Sequence, residues 1–264
     1  MSEPVHFFDL TPDQLRSLCA AHGMPAFRAT QILEWVYQRG ITDPPAMSNL
    51  PKADRDWLTD HVVFTRYTVV EHQQASDGTQ KLLLCFDPAG RNAKAEVECV
   101  MIPAESRDSG RTRRTACISS QVGCPVGCRF CASGLGGLDA NLSRGLIAEQ
   151  IHHLNRLTEP ITNVVFMGMG EPLSNFANVT AAIHTLAAEW GFGLSARRIT
   201  LSTVGVPAQM RRLADQLDLP ITLAISMHAP NDALRRQLIP WAESTSIDAI
   251  VEAAPKLRVG MVES

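Results

Sequence analysis

Four of the seven cysteines fall between positions 117 and 131, and this stretch constrains the chain more than any other. Cys124, Cys128 and Cys131 follow a C-x-x-x-C-x-x-C spacing, so one loop can bring three thiolates around a single inorganic centre. A glycine precedes each of the first two ligands and allows the backbone to turn sharply there. Soft thiolate ligands favour an iron-sulfur cluster or zinc.

The number of ligands separates these two metals. A structural zinc site takes four protein ligands, commonly as two separated pairs, and no second pair occurs in this sequence. Cys117 could complete a four-thiolate site, although a strand-like segment separates it from the other three cysteines. Three cysteines leave one iron of a cubane without a protein ligand, which is what a cluster needs in order to bind a substrate. The presence of three cysteine ligands rather than four therefore favours a catalytic iron-sulfur cluster.

The cysteine loop, with Phe130 just before its last ligand, resembles the signature of radical S-adenosylmethionine (SAM) enzymes. The wider context resembles the RlmN family, which methylates carbon 2 of adenine in ribosomal and transfer RNA, with the Cfr-type carbon 8 methyltransferases as near relatives. The resemblance extends from about Leu10 to about Pro255. It is strongest in four segments, which are CISSQVGC at 117–124, NVVFMGMGEPL at 163–173, RITLST at 198–203 and AISMHAPND at 224–232.

This resemblance implies two cofactors, a [4Fe-4S] cluster on the three cysteines of the loop and SAM. A lone glycine pair at a strand end is about as often a tight turn, and a lone serine or histidine there is usually a local hydrogen-bonding residue. Their joint appearance at successive strand ends matches the SAM pocket of the resembled family, which favours ligand contacts. The matching residues are Gly170, Glu171, Ser202, Ser226, Met227 and His228.

Two residues match catalytic positions of the resembled family. Glu98 lies in an apolar run, where a carboxylate is either an edge charge or a base with a raised pKa, and the match favours the proton-accepting glutamate. Cys117 matches the cysteine that attacks the methylated sulfur and releases the product. Cys99 could substitute as an acceptor only poorly, because alternation along a strand places it on the opposite side from Glu98.

The periodicity of the sequence divides the chain into three parts. Residues 1–62 predict a small helical N-terminal domain, with helices starting at Pro12, running from Pro25 to Arg39 and covering Lys52 to His61. In the resembled family such a domain contributes to RNA binding. Residues 63–105 predict a short antiparallel β segment.

Residues 106–264 alternate strands and helices, which predicts an α/β fold with a parallel sheet, curved or closed. Together with the resemblance, this indicates a partial (βα) barrel of the radical SAM type, with its functional groups at the carboxyl ends of the strands. The predicted strands are Thr115 to Ser120, Asn163 to Met167, Arg198 to Thr203 and Ile221 to Met227.

The sequence departs from the resembled family at its C-terminal end. The family carries its methyl group on a C-terminal cysteine, and no cysteine follows Cys131 here. A SAM-contacting asparagine and the last two of six βα units also fall beyond the matching region. We therefore expect a C-terminally shortened member that assembles the cluster and part of the SAM site but does not complete adenine methylation alone.

The overall composition sets further expectations. The chain has a net charge of −3, whereas a dedicated nucleic-acid-binding protein is usually strongly basic. Four pairs of arginines would form a basic patch only if the fold brought them together, and these are 113–114, 197–198, 211–212 and 235–236. No apolar segment has the length of a membrane span or a leader peptide. The predicted protein is thus a soluble, cytoplasmic monomer that acts on ribosomal RNA and transfer RNA with an external electron donor. Cys19 and Cys85 lie in apolar patterns and are expected in the core.

Two other classes of function share some of these features. A non-catalytic, RNA-associated protein could hold zinc or no metal on the same cysteines, and iron and sulfide analysis would separate it from a cluster enzyme. A radical SAM enzyme could instead act on a different substrate. The helical N-terminal part favours RNA, and crosslinking to RNA would test that choice.

Overall fold

The computed structural model describes residues 4–87, 95–105 and 112–254. The strands are β1 (Val5–His6), β2 (Val62–Val63), β3 (Thr68–Gln74), β4 (Gln80–Phe86), β5 (Ala95–Glu105), β6 (Thr112–Cys117), β7 (Gln121–Gly123), β8 (Leu138–Asn141), β9 (Asn163–Phe166), β10 (Ile199–Thr203) and β11 (Thr222–Ile225). The α-helices are α1 (Pro12–Ala21), α2 (Phe27–Leu33), α3 (Lys52–His61), α4 (Arg144–Asn155), α5 (Phe176–Ala187), α6 (Pro207–Gln216), α7 (Asp232–Leu238) and α8 (Ile247–Ala253).

Helices α1 to α3 form the N-terminal unit with its own apolar core. Thr11 and Gln14 cap α1 reciprocally through their side chains, so the helix begins at Pro12 as predicted. The helix predicted from Pro25 to Arg39 is α2 followed by a π-helical turn at Glu34–Gln38. Parallel pairing of β1 with β2 brings the two ends of the unit together. Its core is formed mainly by Phe7, Phe8, Leu15, Cys19, Ile32, Val36, Met47, Leu58 and Phe64.

Seven strands form one mixed sheet in the order β11-β10-β9-β6-β5-β4-β3. Strands β3 to β6 are antiparallel neighbours, whereas β6, β9, β10 and β11 are parallel. The antiparallel segment predicted for residues 63–105 is therefore continuous with the parallel strands. The connection is the pairing of β5 with β6, in which Val100 lies opposite Cys117.

The two faces of this sheet differ in their surroundings. Alternate strand residues, including Cys99, Ala116, Val164 and Leu201, are buried in one apolar core with residues of α4, α5, α6 and α8. Most of the alternate residues on the opposite face are half-buried or exposed, and Cys85, Thr115 and Ala224 are the buried exceptions. A parallel sheet covered on one face is the arrangement of a partial (βα) barrel.

Several details differ from the sequence-based expectations. The strand predicted at Thr115 to Ser120 begins at Thr112 and ends at Cys117, and the short antiparallel pair of β7 and β8 was not predicted. Phe27, the first residue of α2, is 55% exposed, whereas Cys19 and Cys85 are buried as predicted. Among the described residues, no helix combines the length and apolar character that a membrane crossing requires.

Candidate active site

The three cysteines of the C-x-x-x-C-x-x-C pattern lie on a loop closed by strands β7 and β8. Gln121 pairs with Asn141 and Val122 with Ala140, so the two ends of the loop are held side by side. Within the loop, the backbone N–H of Cys131 donates to the carbonyl oxygen of Cys128 at 3.1 Å. The loop, from Cys124 to the start of β8, is thereby a closed unit rather than an open connection.

Gly123 is required at the neck of this loop. Its φ of +72° lies in the left-handed region, and a Cβ atom at this position would collide with the carbonyl oxygen of Gly137. That same carbonyl accepts a hydrogen bond from the N–H of Cys124 at 2.9 Å, so the close approach also positions the first cysteine.

The loop packs against the end of the parallel sheet. The ring of Phe130 lies 4.7 Å from that of His228, just after β11, and the N–H of Arg129 donates to the carbonyl oxygen of Leu238 at 2.9 Å. Cys124 joins an apolar cluster with Val126, Val204, Ile239 and Ala242. These contacts place the cysteines at the carboxyl ends of β10 and β11.

The donor set fits an iron-sulfur cluster better than a single metal ion. Cys124, Cys128 and Cys131 are soft ligands and are near enough for their charges to interact. Within the described ranges, no three His, Cys, Asp or Glu side chains are placed around one metal ion. A multi-iron cluster is larger than an ion and accepts thiolates that lie further apart. Cys117 belongs to strand β6 and does not complete a fourth position in the loop.

The protonation of these thiols is set by burial. Desolvation raises the pKa of Cys124, and it raises the pKa of Cys128 to about 11 with a further contribution from the thiolates of Cys124 and Cys131. The metal-free thiols of Cys124 and Cys128 are thus mainly protonated at neutral pH. Binding of a metal cluster would release protons from them.

The glycines after β9 make close backbone contacts within the protein. A Cβ atom on Gly168 would lie 2.6 Å from Oγ of Ser119, and one on Gly170, whose φ is +103°, would lie 2.7 Å from Oγ of Ser120. The carbonyl oxygen of Met169 accepts hydrogen bonds from the N–H groups of Ser120 and Gln121. The Gly168–Gly170 turn is therefore held against the segment that leads into the cysteine loop.

Glu171, predicted as a SAM contact, is buried and bonded to protein donors. Its Oε1 accepts from the N–H of Leu173 at 3.0 Å and the hydroxyl of Thr203 at 2.7 Å, and its Oε2 accepts from the N–H of Val204 at 2.8 Å. Burial raises the pKa of this carboxyl, although the three hydrogen bonds act in the opposite direction. The carboxylate joins the ends of β9 and β10.

Four other predicted SAM contacts also lie at adjacent strand ends. The hydroxyls of Ser202 and Ser226 are 3.3 Å apart and both side chains are half-buried, and Met227 follows directly. The next residue, His228, has a φ of +58°, which is uncommon for a residue with a side chain and is typical of positions under functional constraint. The structure thus brings these residues and the cysteine loop to the same edge of the sheet.

Glu98 and Cys117 share the face of the sheet that the helices leave open. Val100 lies directly opposite Cys117, and Glu98 is two residues from Val100, so the two side chains are diagonal neighbours on one face. Glu98 is 48% exposed and its Oε1 lies 3.0 Å from Nζ of Lys81. Cys99 is fully buried on the opposite face, as predicted.

Comparison with known families accounts for most of the chain. Residues 5–64 match the family described as "Ribosomal RNA large subunit methyltransferase N-terminal domain", and residues 118–260 match the "Radical SAM superfamily". The chain is 39% identical to the "Dual-specificity RNA methyltransferase RlmN" of Dichelobacter nodosus, over 96% of this chain and 68% of that protein. This chain belongs to the RlmN family of radical SAM proteins. The matches begin before Leu10 and continue past Pro255, so the resemblance is longer than expected at both ends.

Other RlmN relatives and a solved structure agree with this assignment. The "Probable dual-specificity RNA methyltransferase RlmN" of Salinibacter ruber is 43% identical over 90% of this chain and 65% of that protein. The crystal structure of a radical SAM methyltransferase from Sphaerobacter thermophilus superimposes with a TM-score of 0.87 at 36% identity, covering 98% of this chain and 75% of that one. The α/β fold predicted from the sequence and the membership of the radical SAM superfamily are confirmed. The chain spans about two thirds of the length of its curated RlmN relatives.

Several polar residues that organise the RlmN site were not singled out from the sequence. Gln121 accepts from the N–H of Glu171 at 2.8 Å and donates to Asn141 at 2.7 Å, and Asn175 donates to the carbonyl oxygens of Ser120 and Leu142. The signal that could have found Gln121 is its place in the CISSQVGC segment. These amides connect the cysteine loop to the turn after β9.

Two of the four arginine pairs lie away from the candidate site. The pairs at 113–114 and 197–198 lie at the amino ends of β6 and β10, at the opposite edge of the parallel strands from the cysteine loop. Arg114 is 3.0 Å from Glu159. Arg235 is buried and donates to the carbonyl oxygens of Val204 and Thr245, which is a structural role.

Proposed function

We propose that this chain forms the catalytic core of a radical SAM methyltransferase that acts on carbon 2 of adenine in 23S ribosomal RNA and in transfer RNA. The observation that supports the proposal most directly is that the two proposed catalytic residues and the cysteine loop lie close to each other on the sheet. Glu98 and Cys117 lie together on the open face of the sheet, and the cysteine loop lies at the carboxyl edge of that sheet. This is the face and edge at which a βα barrel carries its reactive groups.

The chemistry of the target explains why such a site is needed. Carbon 2 of adenine is an electron-poor amidine carbon and does not attack a SAM methyl group as a nucleophile. When bound by Cys124, Cys128 and Cys131, the [4Fe-4S] cluster would supply the electron that cleaves SAM reductively and starts radical chemistry. The protein's own side chains then have to hold SAM, move a proton and release the product.

We assign the proton transfer to Glu98 and the release of product to Cys117. Burial raises the pKa of Cys117, so its thiol is protonated at neutral pH and becomes a nucleophile only when a base removes the proton. Glu98 is exposed enough to meet an adenine that has left its stack, and it is anchored by Lys81. In this proposal Glu98 accepts the ring proton. The Cys117 thiolate forms a disulfide with the sulfur of a methyl-carrying cysteine, which these 264 residues do not supply after Cys131, as the bond from that sulfur to the carbon on adenine breaks. The electron pair of the broken bond stays on that carbon, which a proton completes to a methyl group.

The proposed SAM pocket lies between the turn after β9 and the ends of β10 and β11. Gly170, Ser202, Ser226, Met227 and His228 are the proposed contacts, since they line successive strand ends next to the cysteine loop. The proposed part of Glu171 is to position this pocket, because its carboxylate already accepts three hydrogen bonds from the protein.

The first test is anaerobic reconstitution of the chain with iron and sulfide. We expect about four irons and four sulfides per chain and reductive formation of 5′-deoxyadenosine from SAM. Replacing Cys124, Cys128 and Cys131 together by alanine should abolish both, whereas Cys85→Ala serves as a buried cysteine control outside the site. Zinc in place of iron and sulfide would contradict the proposal and support the non-catalytic alternative.

The second test concerns the RNA product. The 264 residues hold no cysteine after Cys131, so SAM cleavage and RNA methylation should be assayed separately on the same preparation. Mass spectrometry of digested ribosomal and transfer RNA distinguishes 2-methyladenosine from 8-methyladenosine. A carbon 8 product would overturn the assigned position. Cleavage of SAM without any methylated base would support a member that holds the cofactors but does not complete the reaction.

A further inference from the structure

One buried serine connects the strand that carries Glu98 with the turn at 168–170, which is part of the proposed SAM pocket. The hydroxyl of Ser119 donates to the carbonyl oxygen of Glu98 at 2.6 Å and accepts from the N–H of Met169 at 2.9 Å. Ser119 is fully buried, so its hydroxyl is not open to water. A single side chain thus lies between the backbone of the proposed base and the backbone of the turn.

The serine side chain acts where the pairing of β5 with β6 ends. The register that places Val100 opposite Cys117 would bring residue 119 opposite Glu98, but β6 ends at Cys117. The hydrogen bond between β5 and residue 119 is therefore made by a side chain and not by the backbone ladder. A hydroxyl can donate one hydrogen bond and accept another, so it can join two backbone groups in series.

Gln150 of helix α4 fixes the position of this serine. Its Oε1 accepts from the N–H of Ser119 at 2.8 Å, and its Nε2 donates to the carbonyl oxygen of Ser119 at 2.9 Å. Nε2 also donates to the carbonyl oxygen of Leu146 at 3.3 Å, and the whole Gln150 side chain is buried. Both backbone groups of Ser119 are held by one amide, which keeps its hydroxyl in place between β5 and the turn.

The turn at 168–170 packs directly on Ser119. Glycine at position 168 allows this close approach, because a Cβ there would lie 2.6 Å from Oγ of Ser119. The N–H of Gly168 also donates to the carbonyl oxygen of Ile118 at 3.1 Å. A ligand that orders the turn therefore also orders the N–H of Met169 and, through the Ser119 hydroxyl, the carbonyl group of Glu98.

We propose that Ser119 is a positioning residue through which SAM, when bound at the turn, fixes the segment of β5 that carries Glu98. The occupancy of the SAM pocket then determines how firmly the proton acceptor is held. The inference rests on the proposed function, since it takes the turn as part of the SAM pocket and Glu98 as the base. It adds a coupling between the two, and such a coupling is reciprocal.

The test is amide hydrogen exchange of the anaerobically reconstituted 264-residue chain, with and without SAM, and without a reductant so that SAM is not cleaved. In the wild type we expect SAM to slow exchange in residues 163–170 and, by about fivefold, in residues 95–101. Ser119→Ala removes both hydrogen bonds of the hydroxyl. It should abolish the effect of SAM on residues 95–101 while residues 163–170 remain protected. A serine that only stabilised the fold would change exchange by the same factor with and without SAM.

Ser120→Ala is the matched control, because this neighbouring hydroxyl is also buried but donates to the carbonyl oxygen of Met169, at 3.4 Å, rather than to β5. It should keep the effect of SAM on residues 95–101. Ser119→Thr and Ser119→Val have the same shape and differ in the hydroxyl alone, so they repeat the comparison if Ser119→Ala does not fold. The threonine variant should keep the effect and the valine variant should lose it.

The possible results separate this inference from the proposed function. Protection of residues 163–170 without any change in residues 95–101 of the wild type overturns the inference alone. A full effect of SAM on residues 95–101 in Ser119→Ala, or its loss in Ser120→Ala, does the same. If SAM protects neither segment of the wild type, the proposed SAM pocket is wrong and the inference fails with it. Formation of 5′-deoxyadenosine, measured in parallel with a reductant, reports on the proposed function independently.

Discussion

Glu149 connects distant parts of the chain although it lies in the middle of helix α4. Its carboxylate accepts the backbone N–H groups of Arg66 and Tyr67 at 3.0 and 2.9 Å. It lies 2.9 Å from His6 Nε2 and 3.1 Å from His153 Nε2. The N-terminal unit, the start of the antiparallel strands and the helical layer thus meet at one fully buried anion.

Glu149→Gln should destabilise the protein strongly. The amide would present N–H to donors that need an acceptor and would leave the partner histidines without a counter-charge, so we expect the free energy of unfolding to fall by about 3 kcal/mol. Denaturant unfolding measures this change. Glu159→Gln removes a carboxylate that is 77% exposed and pairs with Arg114, and it should cost less than about 1 kcal/mol. Equal losses in the two variants would contradict the assigned role.

The carboxylate of Glu149 should also make the free energy of unfolding depend on pH in the acidic range. Burial alone would raise the pKa of Glu149, but the hydrogen bonds from His153 and His6, the charge of His6 and the N–H of Arg66 outweigh it and lower the pKa to about 2. Because the folded pKa lies below the unfolded value of 4.5, the stabilisation is fully present above pH 4.5. It is lost as the pH falls toward about 2. Unfolding free energies measured across this window should fall with a shallower slope in Glu149→Gln than in the wild type.

Single residues were predictable where their role depends on neighbours in sequence. The spacing of the three loop cysteines and the opposite orientations of Glu98 and Cys99 follow from local geometry. The hydrogen bonds of Glu171 and Glu149 do not, because Thr203 is 32 residues from Glu171 and Tyr67 is 82 residues from Glu149. No local pattern encodes such partners.

At the scale of elements, the cysteine loop depends on a strand pair too short to predict. Strand β7 has three residues and β8 has four, and neither shows an apolar alternation long enough to be recognised. Helix α3, by contrast, was predicted with its observed bounds, Lys52–His61, since a clear helical period delimits it. Short elements stabilised by tertiary contacts are the ones that sequence patterns miss.

Gly123→Ala should open the neck of the cysteine loop. The added Cβ would collide with the carbonyl oxygen of Gly137, and alanine disfavours the φ of +72°. We expect less iron and sulfide per chain after anaerobic reconstitution and a melting temperature several degrees lower. Gly136→Ala is the matched control in the same loop, because a Cβ there meets no atom within 4 Å. Iron content that is equal in both variants would show that the neck does not position the cysteines.

At the scale of the whole molecule, the N-terminal unit is fixed to the helical layer by a polar contact and an aromatic one. Asp9 accepts from the N–H of Gly145 at 2.6 Å and from the hydroxyl of Ser143 at 3.0 Å, at the start of α4. Tyr37 packs edge-on against Trp190 and Phe192, with ring centroids 5.8 and 5.0 Å away. The orientation of the N-terminal unit relative to the sheet is therefore set by direct packing.

Gly145→Ala should loosen this junction. A Cβ at this position would lie 2.6 Å from His6 Nδ1 and 2.8 Å from the backbone nitrogen of Asp9, so the junction must shift even though alanine favours a helix. Hydrogen exchange should become faster in residues 5–9 and in the first turn of α4, while β9 and β10 keep their protection. Unchanged exchange in residues 5–9 would show that the two parts accommodate the methyl group without separating.

The pairing of β5 with β6 has a consequence for sequence change in this region. Side chains alternate along β5, so inserting or deleting one residue between 95 and 97 would move the carboxylate of Glu98 under the helices and bring the neighbouring thiol outward. Substitutions along the same stretch leave that alternation intact. Length, more than composition, is thus the property that variants of this strand must preserve.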